Sequence, residues 1–160
     1  MSDIQVYRKW RSGPGLLDLL AAVRASFAYG LGDDRATGYL HGDGQDWPAP
    51  LAECGPVLLA DLKQLLDVAF THVAFQAYLD GSGCDWHTDS PFDAQAILSL
   101  GVTRTFGLRR PGLEPTRIPV NHGDLLYMPP GFQHDWQHCI PTEDITGERI
   151  SLVFRTVARS

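Results

Sequence analysis

The chain has 160 residues, 44% hydrophobic and 20% charged, with 13 Lys and Arg against 19 Asp and Glu for a formal net charge of −6. That length predicts a single domain, and the composition excludes disordered, collagenous and coiled-coil chains. The acidic balance excludes a whole-molecule field that gathers polyanions, so any contact with nucleic acid must be local.

The longest apolar stretches are broken within a few residues by Asp, Lys, Gly or Pro, well short of the about 20 residues a membrane helix needs. MSDIQVYRKWRSG shows no apolar leader with a small-residue cleavage site. A soluble, cytoplasmic, monomeric protein without a membrane partner is expected. Cys54, Cys84 and Cys139 are an odd, widely spaced set with no C-x-x-C pair. They are expected to be reduced and structural, forming neither a disulfide framework nor a thiolate zinc site.

In chain order, Leu16, Leu17, Leu19, Leu20, Val23 and Phe27 recur at helical spacing after Gly13-Pro14-Gly15 and predict an amphipathic helix ending near Gly30. From Gly30 to Gly55 the text is rich in Gly, Asp and Pro and predicts a long loop or irregular hairpin, a kind of segment that is often functional in a compact domain. Pro56 then opens a second helix, VLLADLKQLLDVA, with apolar residues at Leu58, Leu59, Leu62, Leu65, Leu66 and Ala69 that would pack on a sheet. After Phe70 come eight strand-like runs: HVAFQAYL, CDWHT, AQAILSLG, RTFGLRR, TRIPV, DLLYMP, DWQHCI and RISLVFRTV. Helices that precede the strands instead of alternating with them argue against a parallel βαβ sheet. The prediction is a mainly β (α+β) jelly roll or barrel with two N-terminal helices packed on it, residues 1–70 forming helices and covering loop and 71–158 the β core.

His87 and Asp89 stand at i and i+2 in a strand-like run, so both side chains leave one face. A third imidazole from a distant strand would complete the two-histidine, one-carboxylate set that leaves positions open on non-haem Fe(II). By itself H-x-D is a weak signal, more often a surface pair or a capping Asp. Both His134 and His138 are available in GDLLYMPPGFQHDWQHCI; His138 lies within a strand-like run and is favoured as the ligand, with His134 on the rim. Reading His134 and His138 as a helical i, i+4 zinc pair is opposed by Pro129, Pro130 and Gly131 just before them and by Asp135 where such a motif carries Glu.

In RISLVFR, Arg149, Ser151, Val153 and Arg155 share one face and Ile150, Leu152 and Phe154 the other. On an edge strand the arginines would simply be solvated. Facing a barrel interior, they would need an anion, and a small dicarboxylate satisfies them through charge-assisted bonds. Gln76 and Tyr78, also i and i+2, could add donors.

Taken together, His87-x-Asp89, His138, and the terminal R-x-S-L-x-F-R-T resemble the AlkB-like family of 2-oxoglutarate/Fe(II) dioxygenases, whose motif is H-x-D…H…R-x-N-x-x-x-R. SLGVTRTFGLRR, HGDLLYMPPG and DWQHCIP resemble the flanking strands of that family, strongly over residues 70–158 and more weakly through GYL…DWP. The resemblance implies a double-stranded β-helix with Fe(II) held by the catalytic set His87, Asp89 and His138. It implies that Arg149, Tyr78 and Ser151 bind the distal carboxylate of 2-oxoglutarate, Ser151 standing where the family often has Asn, and that Arg155 and Gln76 lie near its chelating end. With O₂ as oxidant, it implies decarboxylation of 2-oxoglutarate to succinate coupled to oxidation of a substrate C–H bond. For an N-methyl group the product is a hemiaminal that loses formaldehyde.

The expected partner is therefore an alkylated base in single-stranded DNA or RNA. The alternatives are the same chemistry on a small molecule or an unalkylated base, and a metal-bound jelly roll without turnover. Where dealkylases continue with acids after H-x-D, this chain has Ser90-Pro91-Phe92-Asp93, and Asp93 is the nearest acid able to substitute. Phosphate attraction would come from Arg104, Arg109, Arg110 and Arg117. Trp86, Phe92, Phe132 and Trp136 are candidate base-stacking aromatics near the mouth, each of which could instead be core. Tyr39 and Trp47 fall in the segment that, by the resemblance, covers the substrate.

Overall fold

A computed structural model describes residues 3–26, the backbone of 37–40, and residues 47–90 and 92–157. The elements are β1 (Gln5–Tyr7), α1 (Gly15–Ala25), β2 (Thr37–Leu40), α2 (Cys54–Leu66), β3 (His72–Leu79), β4 (Cys84–His87), β5 (Phe92–Gly101), β6 (Arg104–Arg109), β7 (Thr116–Val120), β8 (Leu125–Met128), α3 (Phe132–Asp135), β9 (Gln137–Ile140) and β10 (Glu148–Val157). All eight strand-like runs of the sequence become β3 to β10. The short edge strands β1 and β2 and the single-turn α3 carry too few residues for periodicity to reveal them.

The strands form a six-stranded sheet in the order β1-β8-β5-β10-β3-β2 and a four-stranded sheet in the order β4-β9-β6-β7. Every pairing is antiparallel. The sheets face each other across Ala74, Ile97, Leu126 and Val153 on one side and Phe106, Leu108, Val120 and Ile140 on the other. This is the expected jelly-roll arrangement.

Period-two alternation sends the other residues of the same strands outward, where Val73, Phe75, Ala96, Leu98, Ile150, Leu152 and Phe154 meet the helices. From α1 come Leu16, Leu19, Leu20 and Val23, and from α2 Leu58 and Leu62. Burying each such side chain contributes about 1.5–3 kcal/mol, and truncating the fully buried Leu62 to Ala would cost about 2–5 kcal/mol. Both helices have other bounds than the spacing predicts. The described part of α1 ends at Ala25, Leu17 on its outer face is 64% exposed, and Phe27 lies outside the described residues. Helix α2 starts at Cys54, with Pro56 as its third residue, and stops at Leu66 instead of running to Ala69. Asp67 there turns left-handed at φ 54° and its amide closes on the Lys63 carbonyl.

One turn decides how the functional strands are placed. After β3 in the larger sheet, the chain reverses through Asp80 (φ 45°) and Gly81 (φ 77°), with Ser82 N donating to Leu79 O, and enters the smaller sheet as β4. Two positive φ values make this a type I′ turn. A Cβ on Gly81 would sit 1.7 Å from the Glu143 carbonyl oxygen, so only glycine fits.

Candidate metal centre

In the smaller sheet, β4 and β9 lie side by side with His87 directly opposite His138. The register shifts between Cys84 and His87, an irregularity that lets His87 face the interior. The two imidazoles are 4.3 Å apart between centroids. Just past the end of β4, Asp89 brings Oδ1 to 3.7 Å from His87 Nε2 and Oδ2 to 3.2 Å from His138 Nε2. Ligand atoms of all three lie within 4.8 Å of one another.

The surroundings prepare these donors. His87 Nδ1 is 2.6 Å from the Asp85 carbonyl oxygen, and since a carbonyl only accepts, Nδ1 carries the proton and Nε2 keeps its lone pair for the cavity. His138 is buried and stacks on Phe106 at 5.5 Å and 10°. Burial pushes its pKa down against the opposing pull of Asp89, so the ring is neutral at neutral pH. Burial would raise the Asp89 carboxyl, but the nearby His138 ring, the charge of Arg155 and the Gln95 amide together hold it far below the usual carboxylate range. Gln95 Nε2 donates to Asp89 Oδ2 at 2.9 Å, the Asp89 amide donates to Gln133 Oε1 at 3.2 Å, and Arg155 Nη2 stands 3.6 Å from Asp89 Oδ1. An ionised Asp89 carboxylate beside a neutral His138 imidazole is the protonation state a divalent metal requires.

Deeper in the same cavity, Arg149 and Ser151 of β10 pair with Tyr78 and Gln76 of β3, so the four share one wall. Arg149 is fully buried; its Nε donates to Ser99 Oγ at 3.0 Å, and its guanidinium lies 5.4 Å from the Tyr78 ring centre. Tyr78 Oη donates to Gln76 Oε1 at 3.0 Å. No carboxylate comes within 4.0 Å of Arg149 among the described residues, and its Nη2 has no hydrogen-bond partner. Burial pushes its pKa down to about 10, which still leaves it cationic at neutral pH. A buried cation without a counter-charge is costly, and a carboxylate entering the cavity is the group that would relieve it. The donor set therefore fits both a divalent metal and a metal-chelating dicarboxylate.

Residues 33–155 match the model of the 2OG-Fe(II) oxygenase superfamily. The chain belongs to that superfamily. It is AlkB-like within it: the Alpha-ketoglutarate-dependent dioxygenase alkB homolog 3 proteins of Rattus norvegicus and Homo sapiens are each 39% identical to it over a stretch that covers 46% of this chain and 30% and 31% of theirs. The Mus musculus protein is 38% identical over the same share. The matched stretch thus spans less than a third of the length of these curated relatives. The solved structure of OsALKBH1 superposes with a TM-score of 0.68 at 12% identity, covering 98% of this chain and 97% of that one, which establishes the double-stranded β-helix fold. Fe(II), 2-oxoglutarate and O₂ are the superfamily's cofactor, co-substrate and oxidant, and this cavity carries side chains that suit them.

The residues expected around the substrate are more scattered. Arg104 is not a phosphate contact: it is 1% exposed, bound to Glu143 Oε1 and to the carbonyls of Gly81, Ser82 and Pro141. Its strand position turns the side chain inward, where it ties two loops together. Trp47 packs against Gly55 among the outer core residues, away from the cavity. Phe132 is 1% exposed and belongs to the inner core. Trp86 lies across Gly107 and Cys139 on the outer face of the smaller sheet, where a Cβ on Gly107 would come within 3.1 Å of its ring. Arg109 covers that ring at 4.5 Å. Phe92 sits beneath Arg155 at 4.6 Å and next to His72, at the edge of the metal centre. Asp93 accepts from the Gly131 amide at 2.8 Å and so holds the turn before α3. His134, on α3, is exposed and is not part of the ligand cluster. The backbone of Tyr39 pairs with Ala74, and its side chain lies outside the described residues.

Sequence reasoning missed Gln95, Ser99 and Gln133 around the cavity. Gln95 and Ser99 were legible as polar residues at i and i+4 inside the apolar run AQAILSLG, on the face shared with Ile97, and both are buried.

Proposed function

We propose that the protein is an Fe(II)- and 2-oxoglutarate-dependent dioxygenase that removes N-alkyl groups from nucleobases in single-stranded DNA or RNA. The observation that carries the reading is the union, in one cavity, of the His87, Asp89 and His138 cluster with the Arg149 guanidinium, which has no carboxylate within 4.0 Å among the described residues. The AlkB-like resemblance supplies the substrate class. A cytoplasmic location and a monomeric state belong to the same proposal, and cell fractionation and light scattering test them.

His87 Nε2, His138 Nε2 and the Asp89 carboxylate would hold the iron, and Arg149, Tyr78 and Ser151 would take the distal carboxylate of 2-oxoglutarate, with Arg155 and Gln76 nearer its chelating end. When bound, Fe(II) with O₂ and 2-oxoglutarate supplies the oxidation: one oxygen atom leaves in succinate as CO₂ departs, and the other converts N–CH₃ to N–CH₂OH. The hemiaminal then breaks its C–N bond, giving formaldehyde and the unmodified base. In this scheme Gln95 and Arg155 fix the orientation of Asp89, and the Asp85 carbonyl fixes the tautomer of His87. Ile97, Phe106, Ile140 and Val153 form apolar wall of the cavity, excluding water and strengthening each charged contact inside.

The net charge of −6 and the Ser90-Pro91-Phe92-Asp93 run after the metal motif favour a second reading, the same chemistry on a small metabolite or an unalkylated base. Anaerobic loading with Fe(II) and 2-oxoglutarate, followed by O₂ with and without an N-methylated oligonucleotide, separates the two. Formaldehyde that depends on the methylated strand is the expected result. Succinate without formaldehyde would transfer the assignment to hydroxylation of another substrate, and neither product would leave a metal-binding jelly roll without turnover.

A further inference from the structure

Beside the metal centre a second, wider concavity opens where the ends of β6 and β9 meet α3. It shares a wall with the centre. Thr88, between His87 and Asp89, lines it, as does Gln133, whose side chain accepts from the Asp89 amide. A polymer with one unit at the metal therefore has its next units within reach of this groove.

The groove has an aromatic floor and a cationic rim. Trp136 is half-buried and stacks parallel on Phe132, 5.6 Å between centroids and 2° between planes. Arg110 lies 5.1 Å from the Trp136 ring centre, and Arg109 is held by Nε donating to Gln137 Oε1 at 2.8 Å. Asp135 is the acid in the lining.

An arginine over an indole is ordinarily no more than a tidy way to hold a solvated charge. What separates this pair from that reading is where the chain leaves its arginines without acids. Of the nine described arginines, Arg8, Arg11, Arg24, Arg104 and Arg155 have a carboxylate within 4.0 Å. Arg149 faces the co-substrate cavity. The three that remain, Arg109, Arg110 and Arg117, all stand on or beside the β6–β7 hairpin. In a chain where acids outnumber bases by 19 to 13, three cations with no carboxylate within 4.0 Å among the described residues, two of them lining this groove, mark a place for an external anion.

We propose that this groove receives the phosphodiester strand flanking the base presented to the metal, with Arg109 and Arg110 on backbone phosphates and Trp136 as a stacking surface for a neighbouring base. The inference rests on the nucleic-acid reading above. Guanidinium forks match phosphate oxygens, and stacking on an aromatic ring tolerates any base. A strand held this way is bound by its backbone and not by its sequence, and Asp135 weakens that attraction.

The test is fluorescence anisotropy of the full chain, loaded with Fe(II) and 2-oxoglutarate without O₂, with a labelled single-stranded oligonucleotide carrying one N-methylated base, over a salt series. Arg110→Ala is expected to weaken binding roughly 5-fold or more at low salt and to make the log–log salt slope shallower by about 0.7, one phosphate contact on a single strand. Trp136→Ala should weaken it by roughly 5- to 150-fold, with recovery in Trp136→Phe. Asp135→Asn should tighten binding about 2-fold, a gain that misfolding cannot produce. Wild-type binding with Arg110→Ala and Asp135→Asn both unchanged would overturn the groove and leave the nucleic-acid reading standing. No binding of any oligonucleotide by the wild type would overturn that reading and the groove with it.

Discussion

Arg149→Met replaces the buried guanidinium with an uncharged side chain of similar length. In the free protein, Arg149 is fully buried, uses Nε on Ser99 Oγ and has no carboxylate within 4.0 Å among the described residues. Removing a cation that burial alone disfavours should leave the melting temperature of the metal-loaded, 2-oxoglutarate-free protein unchanged or raised. The effect of 2-oxoglutarate should move the other way. At 100 times its dissociation constant a ligand adds about 2.7 kcal/mol, and at 2–4 °C per kcal/mol for a chain of this length the wild type should gain about 5–11 °C. Losing one partner of a buried ionic contact costs about 3–5 kcal/mol, so affinity should fall by at least roughly 160-fold. The same 2-oxoglutarate concentration then lies below the variant's dissociation constant and adds about 0.3 kcal/mol, or about 1 °C. Differential scanning fluorimetry under anaerobic conditions, with Fe(II) present and 2-oxoglutarate varied, reads both numbers. A full ligand shift in Arg149→Met would show that the dicarboxylate sits elsewhere, and a collapse of the ligand-free variant by more than about 10 °C would show that Arg149 serves the fold and not the co-substrate.

His138→Ala should abolish tight Fe(II) or Mn(II) binding in a calorimetric titration while His134→Ala leaves it intact, since only His138 shares the ligand cluster; the reverse order would exchange their roles. Arg104→Ala leaves Glu143 and three loop carbonyls without their common partner and should cost about 3–5 kcal/mol in urea unfolding, whereas a loss below about 1 kcal/mol would mean the loops hold themselves. Asp124 is held below its ordinary pKa: burial opposes ionisation but is outweighed by the amides of Lys9 and Asn121 and by Arg8. A depressed carboxyl contributes stability that is fully present above its unfolded pKa of about 3.9 and lost as pH falls through the lower folded value. Unfolding free energy should therefore fall below about pH 4, less steeply in Asp124→Asn than in the wild type; equal slopes would assign the acid sensitivity to other carboxyls.

The β core was legible because its strands alternate cleanly. RISLVFR splits into a polar and an apolar face, and those faces became the cavity wall and the helix-facing core. The metal set was legible for a related reason, since i, i+2 spacing places two donors together whatever the loop that follows. The structure brings His138 and not His134 into the cluster with His87 and Asp89, because strand residues have a determined facing. Aromatics and arginines were harder. A tryptophan satisfies a core, an outer sheet face or a groove equally well, and Trp47, Trp86 and Trp136 each took a different one. Arg104 reads like its neighbours Arg109 and Arg110, yet the partners that bury it lie 22 to 39 residues away in sequence. The left-handed Asp67 that ends α2 likewise carries no periodic signal.

Strand β10 is buried from Arg149 to Arg155 on both faces, one toward the helices and one toward the cavity. Its two faces therefore answer to two different kinds of scrutiny, Val153 being the apolar exception on the cavity face. Ile150, Leu152 and Phe154 are judged by volume, and exchanges among aliphatic and aromatic residues can drift there if the neighbouring helix drifts with them. Arg149, Ser151 and Arg155 are judged by hydrogen-bond geometry, where no compensating partner is at hand. Substitutions that change what such a protein accepts are thus better tolerated off this strand, on the end of β6 and the α3 turn, which border the metal centre without building it.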